Sequence, residues 1–250
     1  MPSIFDSARF NETLFFPQAD LSPAPPGAVD APVPVPGGSL NLRLHASPQA
    51  RFRLLLFHGN GECAPDYDDA APRFARCGAA LAVMDYRGYG RSEGEPGYRA
   101  MLKTDARAAV EALGGIDSRP LVLMGRSLGS ACLAELYPDP PAGTAGFIWE
   151  SGYTDLRALL HRRGMEPPEV FSREDLADFD PIPRLRLGRL PLLAIHGAAD
   201  IHISQEDTRA AFEAAGTEQK ALHLVPERGH NDLLQSVAYW DAIQAFLSGL

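Results

Sequence analysis

From residue 51 onward, short runs of consecutive apolar residues alternate with longer stretches whose apolar positions recur at helical spacing. The runs are RFRLLLFHG, ALAVMD, PLVLMG, GFIWES, LPLLAIHG and KALHLVP. Helices are predicted near 66–77, 98–113, 128–137 and 204–215, with a closing helix near 232–248. A strand that is apolar at every position is buried on both faces, as in a parallel sheet covered by helices. The alternation therefore predicts an α/β fold with a mostly parallel, doubly wound sheet.

Residues 1–39 read differently, because they hold eight of the 22 prolines. Such density removes donors and fixes φ, so this stretch is expected to be an extended arm without helix. It leads into a hairpin: Val29 to Pro36, a turn at Gly37-Gly38, then SLNLRLHA with Leu40, Leu42 and Leu44 on one face. The expected organisation is an arm over 1–39 and one α/β domain over 40–250. Residues 152–189 fit neither period and are expected to form a small lid inserted between two strands.

Length and composition narrow the partners. The 250 residues carry a formal charge of −9, which would repel a phosphate backbone or an anionic lipid surface. Nucleic acid is not an expected partner. Cys63, Cys77 and Cys132 are an odd number at wide spacing, so neither a disulfide framework nor a zinc site is implied, and a reducing cytoplasm is the expected location. MPSIFDSARF lacks the pattern of a secretory signal, and no apolar run approaches the ~18 residues of a membrane helix. The seven histidines show no metal-ligand spacing such as HExxH, so neither metal nor cofactor is expected.

In doubly wound sheets the chemistry lies beyond the carboxyl ends of the strands. Two stretches there match G-x-S-x-G, around Ser92 and Ser127. The motif serves a nucleophile only where a strand enters it and a helix leaves it, since the sharp turn between them lifts the serine out of the sheet. Ser127 has both, from PLVLMG into Leu128 to Tyr137; Ser92 follows a loop and precedes Glu95-Pro96-Gly97. The plainer alternative for GRSLG is a tight turn that binds nothing.

A serine hydroxyl needs a base to take its proton, and the base needs a carboxylate to fix its tautomer. Downstream of Ser127, Asp200 alone sits just past a strongly apolar strand, while Asp175, Asp178 and Asp180 read as a solvated acidic surface. Among later histidines, His202 is too close to Asp200 to reach Ser127 and His223 lies within a strand. His230 follows that strand, with Gly229 to give it backbone freedom and Asn231 or Asp232 to cap the last helix. An oxyanion hole would use the backbone N–H groups of Leu128 and, from the loop after RFRLLLFHG, Asn60. His58 and His196 each end a strand and read as structural.

With FHGNGE, DYRGYGRSEG, GRSLGS, HGAAD and RGHNDL in this order, the chain from about residue 29 onward resembles an α/β-hydrolase. It is similar to bacterial serine hydrolases akin to the α/β-hydrolase domain-containing proteins 13 and 17 and the Bem46-like group. The resemblance implies Ser127, Asp200 and His230 as the triad, Asn60 and Leu128 as oxyanion donors, and Asp85-Tyr86-Arg87-Gly88 as a structural loop near the site. It implies cleavage of a small-molecule carboxylic ester or thioester through an acyl-serine. An acyltransferase or peptidase on the same triad, or a non-catalytic ligand-binding relative, is the alternative. The sequence lacks the membrane anchor and N-terminal cysteine cluster of membrane-bound relatives. Substrate specificity is expected from the lid, through Tyr153, Met165 and Phe171; the alternative is that its aromatic residues, Phe179 included, simply seal it onto the sheet.

Overall fold

A computed structural model describes residues 3–165 and 172–250. After a 3-10 turn at Ile4–Asp6, the chain forms α1 (Ala8–Leu14) and then the hairpin β1 (Ala28–Val35) and β2 (Gly38–His45). The α/β alternation follows as β3 (Phe52–Phe57), α2 (Ala71–Arg76), β4 (Ala79–Asp85), α3 (Tyr98–Ala100), a π-helical turn at Met101–Asp105, α4 (Ala106–Ile116), β5 (Leu121–Arg126), α5 (Ser130–Leu136) and β6 (Thr144–Glu150). The inserted stretch supplies α6 (Leu156–Arg162), α7 (Arg173–Phe179) and α8 (Pro181–Leu185). The chain closes with β7 (Leu192–Gly197), α9 (Gln205–Ala214), β8 (Lys220–Val225) and α10 (Val237–Gly249).

The eight strands form one sheet in the order β1-β2-β4-β3-β5-β6-β7-β8, with β2 antiparallel to both its neighbours and β3 to β8 parallel. Alternate side chains feed two apolar layers. Leu55, Phe57, Leu123, Phe147 and Trp149 face one, and Leu54, Leu56, Val122, Met124 and Ile148 face the other. The chain runs from β3 outward to β4, then returns to β5 on the other side of β3. That reversal opens a crevice at the carboxyl ends of β3 and β5. Among the described residues no helix is long and apolar enough to cross a membrane.

Two expectations about the N-terminal region need correction. The prolines forbid helix only from Pro17 on; Ala8–Leu14 lies in the proline-free window before it and is helical, with Ser7 accepting from the Phe10 amide as N-cap. Its apolar face, with Phe5 ahead of it, inserts Phe5, Phe10 and Leu14 into the larger apolar layer. The hairpin turn is Pro36-Gly37, not Gly37-Gly38, because Val35 pairs with Gly38 and Gly37 takes the positive φ of 82°. Residues 16–25 carry neither helix nor strand, and a turn at Pro26-Gly27 leads into β1. The amide of Gly90 donates to the Gln18 carbonyl at 2.7 Å, and the buried Arg43, paired with Asp30 and Asp68, donates to the Ser22 carbonyl at 2.7 Å.

The inserted stretch is sealed to the body by the residues just ahead of α1. Phe179 packs on Phe5 with ring centroids 4.0 Å apart, and Phe5 stacks on Tyr98. Asp175 is buried, not solvated: it accepts from the hydroxyl of Ser3 and the amide of Ser172. Asp180 caps α8 through the Ile182 amide. Truncating Phe10 to alanine should therefore lower stability by about 3–5 kcal/mol, as for other fully buried aromatic side chains. Urea unfolding of F10A tests this, and a loss below about 1 kcal/mol would show that the segment is not part of the core.

Candidate active site

Loops at the carboxyl ends of β3, β5, β7 and β8 converge on one cavity of about 340 Å³. Ser127 stands where β5 passes through a 3-10 turn into α5, with a φ of 49°. A side chain in this left-handed region costs of order 1–3 kcal/mol and survives only where its surroundings leave no alternative. Here they are tight. A Cβ on Gly129 would lie 2.0 Å from the Phe57 carbonyl oxygen, and one on Gly125 would lie 2.5 Å from that of Gly129. The start of α5 thus rests backbone to backbone on β3 and β5, and the turn lifts Ser127 into the cavity. Ser92 is committed elsewhere: its hydroxyl donates to the Asp85 carbonyl at 2.7 Å and accepts from the Asn41 amide at 2.8 Å.

Asp200 and His230 meet from the loops after β7 and β8. Nδ1 of His230 lies 2.6 Å from Oδ2 of Asp200. A ring nitrogen facing a carboxylate carries the proton, which leaves Nε2 as the acceptor. Asp200 Oδ1 accepts from the amides of His202 and Ile203 at 2.8 and 3.0 Å. Burial pushes the Asp200 carboxyl up, but its hydrogen bonds from His230 and these amides outweigh it and hold it below the usual range. Gly229 does not supply the turn that was expected of it. The left-handed residue is Glu227, with φ 57°, and Asp232 spans the loop by accepting from the Gly229 amide at 2.7 Å. Neither Asn231 nor Asp232 caps α10, whose N-cap is Ser236.

His196 and His58 sit behind this layer. Nδ1 of His196 lies 2.8 Å from the Thr208 hydroxyl, and its Nε2 is 3.2 Å from the Ile203 carbonyl and 3.4 Å from Asp200. Burial lowers its pKa. His58 is fully buried, with Nδ1 2.7 Å from the Gly59 carbonyl.

Asn60 and Leu128 both line the cavity. Leu128 lies in the first turn of a helix, where amides lack intrahelical acceptors. The Asn60 side chain is held in place, its Oδ1 accepting from the Phe16 amide at 2.8 Å and the Tyr89 hydroxyl at 2.6 Å, its Nδ2 donating to the Leu14 carbonyl at 2.5 Å. That leaves the backbone of Asn60 as the part that can serve a ligand. Of the lid residues expected at the site, Tyr153 lines the cavity, with its hydroxyl 3.0 Å from that of Tyr98. Met165 instead packs into the apolar layer and does not line the cavity, and Phe171 lies outside the described residues.

Sequence reasoning missed the residue that ties these loops together. Arg126, immediately before Ser127, is buried. Its Nε donates to Glu62 at 2.8 Å, its Nη1 to Glu150 at 3.0 Å and to the backbone carbonyl of His230 at 2.7 Å, and its Nη2 to Asn231 at 2.8 Å. Glu62 also accepts from the Gly59 amide and the Tyr67 hydroxyl, both at 2.6 Å, and Glu150 from the Tyr239 hydroxyl at 2.6 Å. The available signal was register: Arg126 and Glu150 are opposite charges ending adjacent apolar strands, and they pair directly. Leu14, Ile201 and His202 also line the cavity; the ring of His202 is 5.5 Å from that of His230.

The family model described as serine aminopeptidase, S33, matches residues 48–171. An uncharacterized protein of Mycobacterium tuberculosis is 31% identical over 210 residues, covering 82% of this chain and 72% of that protein. Protein bem46 of Schizosaccharomyces pombe is 27% identical over 209 residues, covering 81% and 69%. Among solved structures, an esterase of Pyrococcus furiosus superposes with a TM-score of 0.73 at 15% identity, over 93% of this chain and 98% of that one.

Burial pushes the Glu62 carboxyl up, but Arg126 and the Tyr67 hydroxyl outweigh it and bring it from an ordinary 4.5 down to about 2. A depressed carboxylate contributes stability that is complete above its unfolded value and disappears as the pH falls through its folded one. The variant E62Q should therefore be less stable than the parent by up to about 3 kcal/mol at pH 7, with the gap narrowing as the pH drops below 4.5. Denaturant unfolding of both proteins at a series of pH values checks it; a gap independent of pH would contradict it.

Proposed function

We propose that this chain, which belongs to the α/β-hydrolases of the Bem46 and α/β-hydrolase-domain group, cleaves carboxylic ester or thioester bonds through an acyl-serine. The observation that carries this reading is the 2.6 Å contact between His230 Nδ1 and Asp200 Oδ2, beside a serine held at φ 49° on the same cavity. In the proposed reaction Nε2 of His230 takes the Ser127 proton while Oγ attacks the carbonyl carbon. Asp200, held as a carboxylate, stabilises the imidazolium. The N–H groups of Asn60 and Leu128 receive the oxyanion. The tetrahedral intermediate collapses as His230 protonates the departing alcohol or thiol. Water then attacks the acyl-serine with His230 again taking its proton, and the second tetrahedral intermediate collapses as His230 returns that proton to Ser127 Oγ and the acid departs.

A cavity of about 340 Å³ lies at the small end for ligand sites and is walled by Leu14, Leu128, Tyr153, Leu159 and Ile203, which suits a short acyl chain. Amide cleavage on the same three residues is the second reading, favoured by the match to the serine aminopeptidase model.

Expected outcomes separate these. Replacing Ser127 with alanine should lower kcat on p-nitrophenyl butyrate by at least about 10⁴-fold and abolish labelling by a fluorophosphonate, and D200N should lose roughly 10⁴-fold by leaving His230 in the wrong tautomer. Unchanged labelling of S127A would end the acyl-serine proposal. Faster turnover of aminoacyl p-nitroanilides than of matched p-nitrophenyl esters would transfer it to peptides.

A further inference from the structure

The walls of the cavity are at odds with the charge of the chain. The protein carries 32 acidic residues and a formal charge of −9. Yet the charged side chains lining the cavity, among the described residues, are Arg162 and Arg163, with no carboxylate. A second cavity beyond Asn60 and Asn231 has the opposite character, bearing Glu62, Asp66 and Glu150 against Arg126. The two cavities on either side of Asn60 thus differ in the sign of their charged lining.

The two arginines are differently placed. Arg163 is anchored: its guanidinium donates to the Leu14 carbonyl and lies over the Phe16 ring, 4.8 Å from the centroid. Arg162, the last residue of α6, is exposed at the cavity wall and forms no ion pair with a described residue. The carboxyl end of α6 favours cations electrostatically, which accounts for basic residues there but not for their place in the cavity wall. Guanidinium groups bind carboxylate and phosphate through paired hydrogen bonds, and a site partly shielded from water strengthens them.

We propose that this cavity selects acyl substrates that also carry an anionic group, a carboxylate or a phosphate, and that Arg162 binds that group while Arg163 fixes the wall beside it. The inference rests on the ester-hydrolase reading above and assigns its substrate class.

Two matched pairs of esters test it on the full chain. The first compares the p-nitrophenyl monoester of glutaric acid with p-nitrophenyl pentanoate, placing the anion on the acyl side. The second compares 4-acetoxyphenyl phosphate with 4-acetoxyphenyl methyl ether, placing it on the leaving side. In at least one pair kcat/KM should favour the anionic member by about tenfold, mainly through KM, and the preference should fall as salt rises. R162Q should bring that ratio close to one and R162K should keep most of it. R107Q, which removes a surface pair with Asp139 away from the cavity, should leave it unchanged. The pair that shows the preference identifies the side on which the anion sits. Neutral members favoured in both pairs, or a ratio untouched by R162Q, overturns the proposal. Hydrolysis of no ester at all would overturn the ester-hydrolase reading first, and this inference with it.

Discussion

A guanidinium buried at the end of a central strand must be answered by acceptors on every side, and those that answer Arg126 belong to different loops. Glu62 comes from the loop after β3, Glu150 from the end of β6, and the His230 carbonyl and Asn231 from the loop after β8. Each ion costs several kcal/mol to desolvate, and removing one partner leaves a buried charge unanswered. The network therefore tolerates one arrangement of the loops. Ser127 follows Arg126 in the chain, Gly59 donates to Glu62, and His230 is held by its own carbonyl. The same cation thus sets the separation between the Asn60 loop, the serine and the histidine.

The central strands were legible because they are runs of consecutive apolar residues, a signal independent of what lies far along the chain. FRLLLF, LVLMGR and LLAIHG are strands over nearly the residues their hydrophobicity predicts. That Asp200 and His230 would meet beside the cavity that Ser127 lines was legible because topology places the carboxyl ends of the parallel strands on one rim. The rest depended on contacts between distant segments. Nothing near Met165 distinguishes a residue that faces the cavity from one that packs beneath it, and Asp175 reads as surface until Ser3 is seen beside it. The expectation of Gly229 failed for a local reason: a glycine permits an unusual φ without requiring it, and Glu227 adopts it instead. Proline density misled over α1 because it was averaged over 39 residues, whereas helix formation is decided within two turns.

The N-terminal segment changes what the lid is. Phe5 carries Phe179, Ser3 holds Asp175, and Leu14 supplies both an apolar wall to the cavity and the carbonyl that Arg163 and Asn60 share. The inserted helices therefore rest on residues 3–16 as well as on the sheet. Because Asn60 bridges Leu14, Phe16 and Tyr89, a residue that shares the cavity with Ser127 is positioned in part by the N-terminal segment.

Charge shows a similar division between the whole and the site. A formal charge of −9 repels anions in bulk, but exposed charges are screened beyond about 8 Å at physiological ionic strength. Inside a cavity the nearest groups dominate, and partial desolvation strengthens them further. Arg163 is half-buried, and burial lowers the pKa of its guanidinium. Two arginines at one wall therefore outweigh a distributed excess of carboxylates, and net charge, which argues against polyanionic surfaces as partners, leaves the charge of a small substrate undetermined. On the proposal above, that choice falls to the end of helix α6, where Arg162 and its C-cap Arg163 both line the cavity.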